Sequence, residues 1–292
     1  MVTIEAVFFA IDTPRELADG REIGKGRKVK MLTDEQTRAF RDEGFVLGSM
    51  VLSADAIEEL QEEVLRVIEE RDGEGPRPVM VHKIDGDPDR PVWQVVNIWQ
   101  ASGAFKRLLS HPTITGDVAK LLDASELRVW HDQIQYKPMQ TGGETPWHQD
   151  SPAWPPLGPK DQQVTAWIAL DEATTENGCM SMVVGSHRWG DHNAYLETVH
   201  GFEGLPGEHA GQRIERRACP VPRGHIHYHH GLTWHASHEN RSARPRRAIA
   251  IHYMSEKTCY NASGDHVMKP FVRVADGEAL RGDSFPLVWS RR

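Results

Sequence analysis

The chain is poor in cysteine, in long apolar runs and in clustered positive charge, and each shortage excludes something. Its three cysteines, Cys179, Cys219 and Cys259, form no CxxC pair and cannot all be bridged. That argues against a disulfide framework and for a reducing, cytoplasmic setting. No stretch approaches the ~20 consecutive apolar residues that cross a bilayer, so no membrane role is expected. The apolar run 7–11 is short, lies between Glu5 and Asp12, and does not read as a signal peptide. Lys and Arg total 34 against 42 Asp and Glu, a formal charge of −8 with no basic run. The electrostatic footprint of nucleic-acid binding is therefore missing, and no nucleic-acid partner is expected.

What is present is a 39% hydrophobic chain of 292 residues, enough for a real core, with 16 His and 9 Trp. Histidine in that number suits metal or proton chemistry, but only position separates this from a His-rich surface. Residues 1–30 read as a strand-like start followed by a Gly/Lys/Arg-rich exposed loop. Thr33 to Gln36 has capping-box spacing and Gly44 supplies a stop, which predicts a helix between them. A second helix follows Ser53, with Ile57, Leu60, Val64, Leu65 and Ile68 at helical period. Shorter helices are expected over 102–110 and 113–122. From about 127 the texture changes to short β-rich runs at 127–136, 163–170, 180–184, 213–219, 225–230 and 247–254, separated by Pro, Gly and Asn. That spacing predicts a β-sandwich or barrel behind an all-helical N-terminal third, folded as one unit over 1–292.

Trp147-His148-Gln149-Asp150 carries the first chemical signal. On an extended segment, His148 and Asp150 leave the same face and can grip one ion. Two His and one carboxylate leave coordination positions open opposite them, the arrangement of non-haem Fe(II) oxygenases. The prolines at 152, 155 and 156 exclude a helix there and hold the pair at a loop. The third ligand lies among the histidines of 225–238. His225, His227 and His229 alternate along one strand face and could bind zinc or nickel themselves, although an exposed strand face is the favoured reading. His235 is favoured by its sequel: Arg246 follows eleven residues later at the start of an apolar strand, where a guanidinium could bind an acid bidentately.

Four blocks in order then resemble the phytanoyl-CoA dioxygenase family of Fe(II)/2-oxoglutarate-dependent oxygenases. They are residues 32–46, residues 147–150, residues 164–170 running through Asn177-Gly178 to residues 184–187, and His235-Ala236-Ser237 through Asn240 to Arg246. The resemblance spans 32 to about 254. It implies a mainly β fold with N-terminal helices, in which a double-stranded β-helix (jelly-roll, cupin-like) core over 126–256 is backed by a helical support region, 31–125, and followed by a C-terminal extension, 257–292. It also implies that His148, Asp150 and His235 hold Fe(II), and that Arg246 binds the distal carboxylate of 2-oxoglutarate. Ser237, Trp167 and Gln133 match further cosubstrate contacts. A lysine that helps bind 2-oxoglutarate in some members has no clear counterpart; Gln94 falls near its place and Lys83 further off. Strand alternation sets Arg247, not Arg246, with Ile249 and Ile251, so if those isoleucines face the barrel interior the anchor is Arg247.

The implied reaction uses Fe(II), 2-oxoglutarate and O2 to hydroxylate an unactivated C–H bond of a small molecule, releasing succinate and CO2. Related halogenases lack the carboxylate that Asp150 supplies, which favours hydroxylation here. Trp147, Trp154 and Trp234 are candidates for an aromatic wall, with core packing the commoner role, and residues 191–212 for a lid. His187, Arg188 and Trp189 could meet an acidic substrate group or simply end a strand. Two other readings remain: a Zn or Ni jelly-roll enzyme without 2-oxoglutarate, and a non-catalytic metal or ligand sensor on the same barrel.

Overall fold

The computed structural model describes residues 30–84 and 92–291; the strand-like start and the Gly/Lys/Arg-rich loop of 1–29 lie outside them. Helix α1 (Asp34–Glu43) begins and ends as its sequence predicts. The Thr33 hydroxyl accepts from the Gln36 amide while the Gln36 side chain returns to the Thr33 N–H, and Gly44 ends the helix at φ 90°. Ser53 caps α2 (Ala54–Glu69), whose buried face is Ile57, Leu60, Val64, Val67 and Ile68; Leu65, placed on that face by period, is exposed. Helices α3 (Gly103–Leu108) and α4 (Pro112–Leu122) fall where expected.

The N-terminal third is not all-helical. Strand β1 (Phe45–Met50) and the hairpin β2 (Met80–Ile84) and β3 (Val92–Val96) all join the main sheet. Their partners lie far along the chain, residues 225–229 for β1 and 133–136 for β3, so local propensity does not announce them. The expected strand runs are β4 (Glu126–Lys137), β6 (Gln163–Ala169), β7 (Met180–Val183), β8 (Arg216–Cys219), β9 (His225–His230) and β11 (Arg246–Ser255). Three more strands are β5 (Thr145–His148), β10 (His235–Ser237) and β12 (Leu287–Ser290).

Eight antiparallel strands form the larger sheet in the order β1-β9-β6-β11-β4-β3-β2, with β12 against β4. Four form the smaller one, β8-β7-β10-β5. The two make a jelly-roll core. Central strands of the larger sheet are buried on both faces, and alternation sorts their residues into two cores. Ile168, Ile226, Ile249, Ile251 and Tyr253 pack outward against Ile57, Leu60, Ile114 and Val118 of α2 and α4. Trp167, Ala169, Ala248 and Ala250 point the other way, toward Met180 and Met182 of the smaller sheet. The isoleucines of β11 therefore face the helices, and Arg246, in phase with Ala248 and Ala250, faces the barrel interior.

Candidate metal centre

Strands β5 and β10 lie side by side in the smaller sheet with His148 and His235 as direct cross-strand partners, ring centroids 4.1 Å apart. Asp150 does not continue the strand. It sits at φ −68°, ψ −59° where the chain enters a one-turn 3-10 helix. The turn, not strand alternation, brings its carboxylate under the two imidazoles. One ligand atom from each of the three lies within 4.8 Å of the others. The Nε2 atoms of His148 and His235 stand 3.8 and 3.7 Å from Asp150 Oδ1.

The hydrogen bonds around this trio prepare it for a cation. His148 Nδ1 donates to the Pro146 carbonyl at 2.8 Å and His235 Nδ1 to that of Thr233 at 2.9 Å. Each Nδ1 thus carries the proton, and each Nε2 keeps a bare lone pair facing the site. Asp150 Oδ2 accepts from the Thr165 hydroxyl at 2.6 Å and from His229 Nε2 at 3.0 Å, which leaves Oδ1 for an ion. Burial pushes the His148 and His235 imidazoles down to about 4. Burial alone would raise the Asp150 carboxyl, but His235, His229 and His252 around it hold it well below the usual carboxylate range. At neutral pH the trio is two neutral imidazoles and one carboxylate, the protonation state that metal binding needs.

Two buried bases lie further along the same interior. Arg246 is 1% exposed; among the described residues its guanidinium makes a single hydrogen bond, a 3.4 Å contact from Nη1 to the Gln135 carbonyl, its Nε has no partner, and the guanidinium lies 5.6 Å over the Trp167 ring. Burial pushes it down to about 10. Arg247 points to the opposite face, where it grips Asp171 bidentately with both bonds at 2.8 Å. Lys137, fully buried, is the Cα partner of Arg246 on the neighbouring strand, and its Nζ donates to the Ser237 and His238 carbonyls at 3.2 and 2.6 Å. Burial and the adjacent guanidinium push its pKa well down. Among the described residues no carboxylate pairs with Arg246 or Lys137, so an anion entering here would find two desolvated donors.

Sequence reasoning missed Lys137, Thr165 and His229. Lys137 stands in phase with Gln133 and Gln135 on one face of β4, a signal available once that face is known to be inward. The His225, His227, His229 face is not an exposed strand face: His227 and His229 are 2% and 1% exposed, and His229 supports Asp150. Gln94 and Gln133 do meet, Gln94 Nε2 donating to Gln133 Oε1 at 2.6 Å, while Trp167 Nε1 reaches Gln135 at 3.0 Å. Gln94, Gln133, Gln135, Trp147 and His148 line one 580 Å3 cavity, to which residues of the 193–201 stretch, within the expected lid segment, also contribute. Ser237, 3% exposed, sits beside the buried Lys137.

Of the three wall candidates only Trp147 touches this cavity; Trp234 packs in the core behind it, which Trp147 shares, and Trp154 in another core. His187 bonds the Arg41 carbonyl instead of facing the site. Gln149, between two ligands, donates to the Gly190 and Leu232 carbonyls and accepts from the His192 N–H, tying the ligand loop to the cavity wall.

Known proteins resemble this chain in sequence and in fold. The phytanoyl-CoA dioxygenase domain-containing protein 1 homolog of Caenorhabditis elegans is 29% identical over 148 residues, 48% of this chain and 51% of that one. The peroxisomal phytanoyl-CoA dioxygenase of Homo sapiens is 24% identical over 84% of this chain and 76% of that one. The chain spans about half the length of the nematode relatives it matches, 51% and 44%. Among solved structures, the non-heme alpha-ketoglutarate-dependent carbocyclase SnoK from nogalamycin biosynthesis superposes with a TM-score of 0.72 at 28% identity, covering 91% of this chain and 100% of that one. Residues 40–248, which include all three candidate ligands and both buried bases, match the family as a whole. This chain belongs to the phytanoyl-CoA dioxygenase (PhyH) family.

Proposed function

We propose that the protein is an Fe(II)- and 2-oxoglutarate-dependent dioxygenase that hydroxylates an unactivated C–H bond of a small molecule. One observation carries the reading: a trio of two Nδ1-protonated histidines and a carboxylate, with Asp150 and His235 buried and His148 partly so, shares a barrel interior with an arginine whose Nε has no partner among the described residues. Bound iron supplies the oxidation, by which one atom of O2 enters the substrate, the other enters succinate, and CO2 leaves.

The chain's own residues do the rest. His148, Asp150 and His235 hold the metal, with Thr165 and His229 fixing which carboxylate oxygen faces it. Arg246 takes the distal carboxylate of 2-oxoglutarate, and Lys137 adds a second hydrogen-bond donor and holds the end of β10 beside it. Trp167 backs the guanidinium; Gln94, Gln133 and Ser237 complete the polar lining. The helices and barrel act as one unit in this reading, and the three unpaired thiols suit the cytoplasm.

The test is an anaerobic titration of apoprotein with Fe(II) and then 2-oxoglutarate, read by the visible metal-to-ligand charge-transfer band. A band that needs both additions supports the reading; iron-loaded protein that gives none moves it to a Zn or Ni enzyme or a sensor. Product mass then separates hydroxylation, which adds one oxygen from O2, from ring closure, which removes two hydrogens, and epimerisation, which leaves the mass unchanged. The last two are the kinds of reaction named for SnoK and for SnoN, a solved epimerase that also resembles this fold.

A further inference from the structure

The cavity beside His148 has a one-sided chemistry. Its polar lining comprises amides, carboxylates and imidazoles, and among the described residues no Lys or Arg reaches it. Three glutamines make its inner wall. Gln133 and Gln135 spend their oxygens on the Gln94 amide and the Trp167 indole N–H, so their own NH2 groups are unspent and the Gln94 oxygen is free to accept. The mouth carries Glu144 and Glu197. Glu144 Oε2 takes the Phe202 N–H at 2.9 Å and Glu197 Oε1 the Asn193 amide at 3.1 Å, which fixes both side chains and leaves one oxygen of each without a partner. Between mouth and inner wall run apolar Val92, Leu196 and Val199.

We infer that this cavity binds a small molecule carrying a cationic nitrogen, held at the mouth by Glu144 and Glu197, with a hydroxyl or carbonyl against the glutamine wall. Two exposed carboxylates outnumber the nearest base, the buried Lys137 that interacts with Glu144 from the interior, and so attract a cation and repel an anion at the same point. An acyl-CoA thioester, with its several phosphates, meets the wrong sign on entry, and 580 Å3 suits a molecule of modest size. The two buried bases do not contradict this, because they lie behind the glutamine wall and belong to the anionic cosubstrate. The inference rests on the oxygenase reading for its chemistry but not for its binding.

Ligand-observed NMR titration of the full chain, with excess 2-oxoglutarate present to occupy Arg246 and Lys137, tests it with three ring-matched probes: cyclohexylmethylamine, cyclohexylmethanol and cyclohexanecarboxylate. The amine is expected to bind about tenfold more tightly than the alcohol, as a charge-assisted contact would give. The carboxylate is expected to bind weakest, and octanoyl-CoA not to displace the amine. The double substitution Glu144→Gln with Glu197→Gln, which keeps both hydrogen bonds to the loop, should erase the amine's advantage. Equal binding of the three probes, displacement by octanoyl-CoA, or an advantage that survives the double substitution would overturn the assignment. The charge-transfer band depends only on iron and cosubstrate. A protein that forms the band yet treats the probes alike keeps the oxygenase reading and loses this one. A protein that prefers the amine yet forms no band does the reverse.

Discussion

Thr165 and His229 decide how Asp150 presents itself, although neither faces an ion directly. Both donate to Oδ2. Removing one donor frees the carboxylate to rotate and lowers its preference for a single geometry. Thr165→Val should therefore weaken Fe(II) binding about tenfold with the fold intact, the usual scale for a group that orients a metal ligand; a calorimetric iron titration beside a far-UV spectrum reads both. The two arginines at the head of β11 make a sharper contrast. Arg246→Ala should weaken 2-oxoglutarate roughly 100-fold, the ~3 kcal/mol of a desolvated charge contact, measured from the concentration dependence of the charge-transfer band. Arg247→Ala removes the bidentate bond to Asp171 instead. It should cost about 1–2 kcal/mol of stability for a partly buried pair and leave cosubstrate affinity unchanged. The reverse pattern would move the anchor to Arg247.

Elements reach the site through their corners. Helix α1 ends at Gly44, which turns the chain into β1 and whose carbonyl accepts from the Thr233 hydroxyl at 2.9 Å. The Thr233 carbonyl in turn holds His235 Nδ1. A Cβ at Gly44 would approach the His187 ring nitrogen to 2.5 Å and Thr233 Oγ1 to 2.6 Å, at a φ that side chains rarely adopt. Gly44→Ala should destabilise the fold by about 1–3 kcal/mol and reduce iron retention as well. Chemical denaturation and metal analysis after dialysis check the two effects, and a stability loss with undiminished iron would uncouple the corner from the site. The helix itself was legible because its caps are local. The strands on either side of α2 were not, because β1 owes its conformation to partners 175 to 184 residues away and β3 to partners about 40 residues away.

For the whole molecule, the concentration of buried imidazoles sets an acid limit. Burial pushes His227 and His252 to about 3 and His148, His230, His235 and His266 to about 4, and holds His131 well below its ordinary 6.5. Unfolded, these groups take up protons near 6.5; folded, they stay neutral. The unfolded state therefore binds more protons below pH 6.5, and the apoprotein should lose stability as pH falls from 6.5 toward 4, by up to ~1.4 kcal/mol per pH unit for each histidine. Thermal melts across that window should show a steep decline, displaced to higher temperature but no less steep when Fe(II) is bound, because the folded ligands are already neutral there and only the unfolded chain takes up protons. Melts that are level from pH 7 to 5 would show that these histidines are not held neutral in the fold.

The sequence alone determined what local energetics govern. It announced the caps of α1 and α2, the apolar runs of β4, β6 and β11, and the His148, Asp150, His235 and Arg246 pattern that resembled the family. It could not rank the faces of β11, because both are buried and the larger apolar side chains, Ile249 and Ile251, pack under helices. The site side carries the smaller Ala248 and Ala250, leaving room for Trp167 and Arg246. Lys137 stayed hidden for the same reason, since its neighbour Arg246 is 109 positions away and adjacent only across a strand ladder. Even the convergence of Asp150 on the histidines depended on a turn rather than the expected strand. Periodicity records which residues are buried; which of them meet is decided by non-local strand pairing, and that is a property of the tertiary fold.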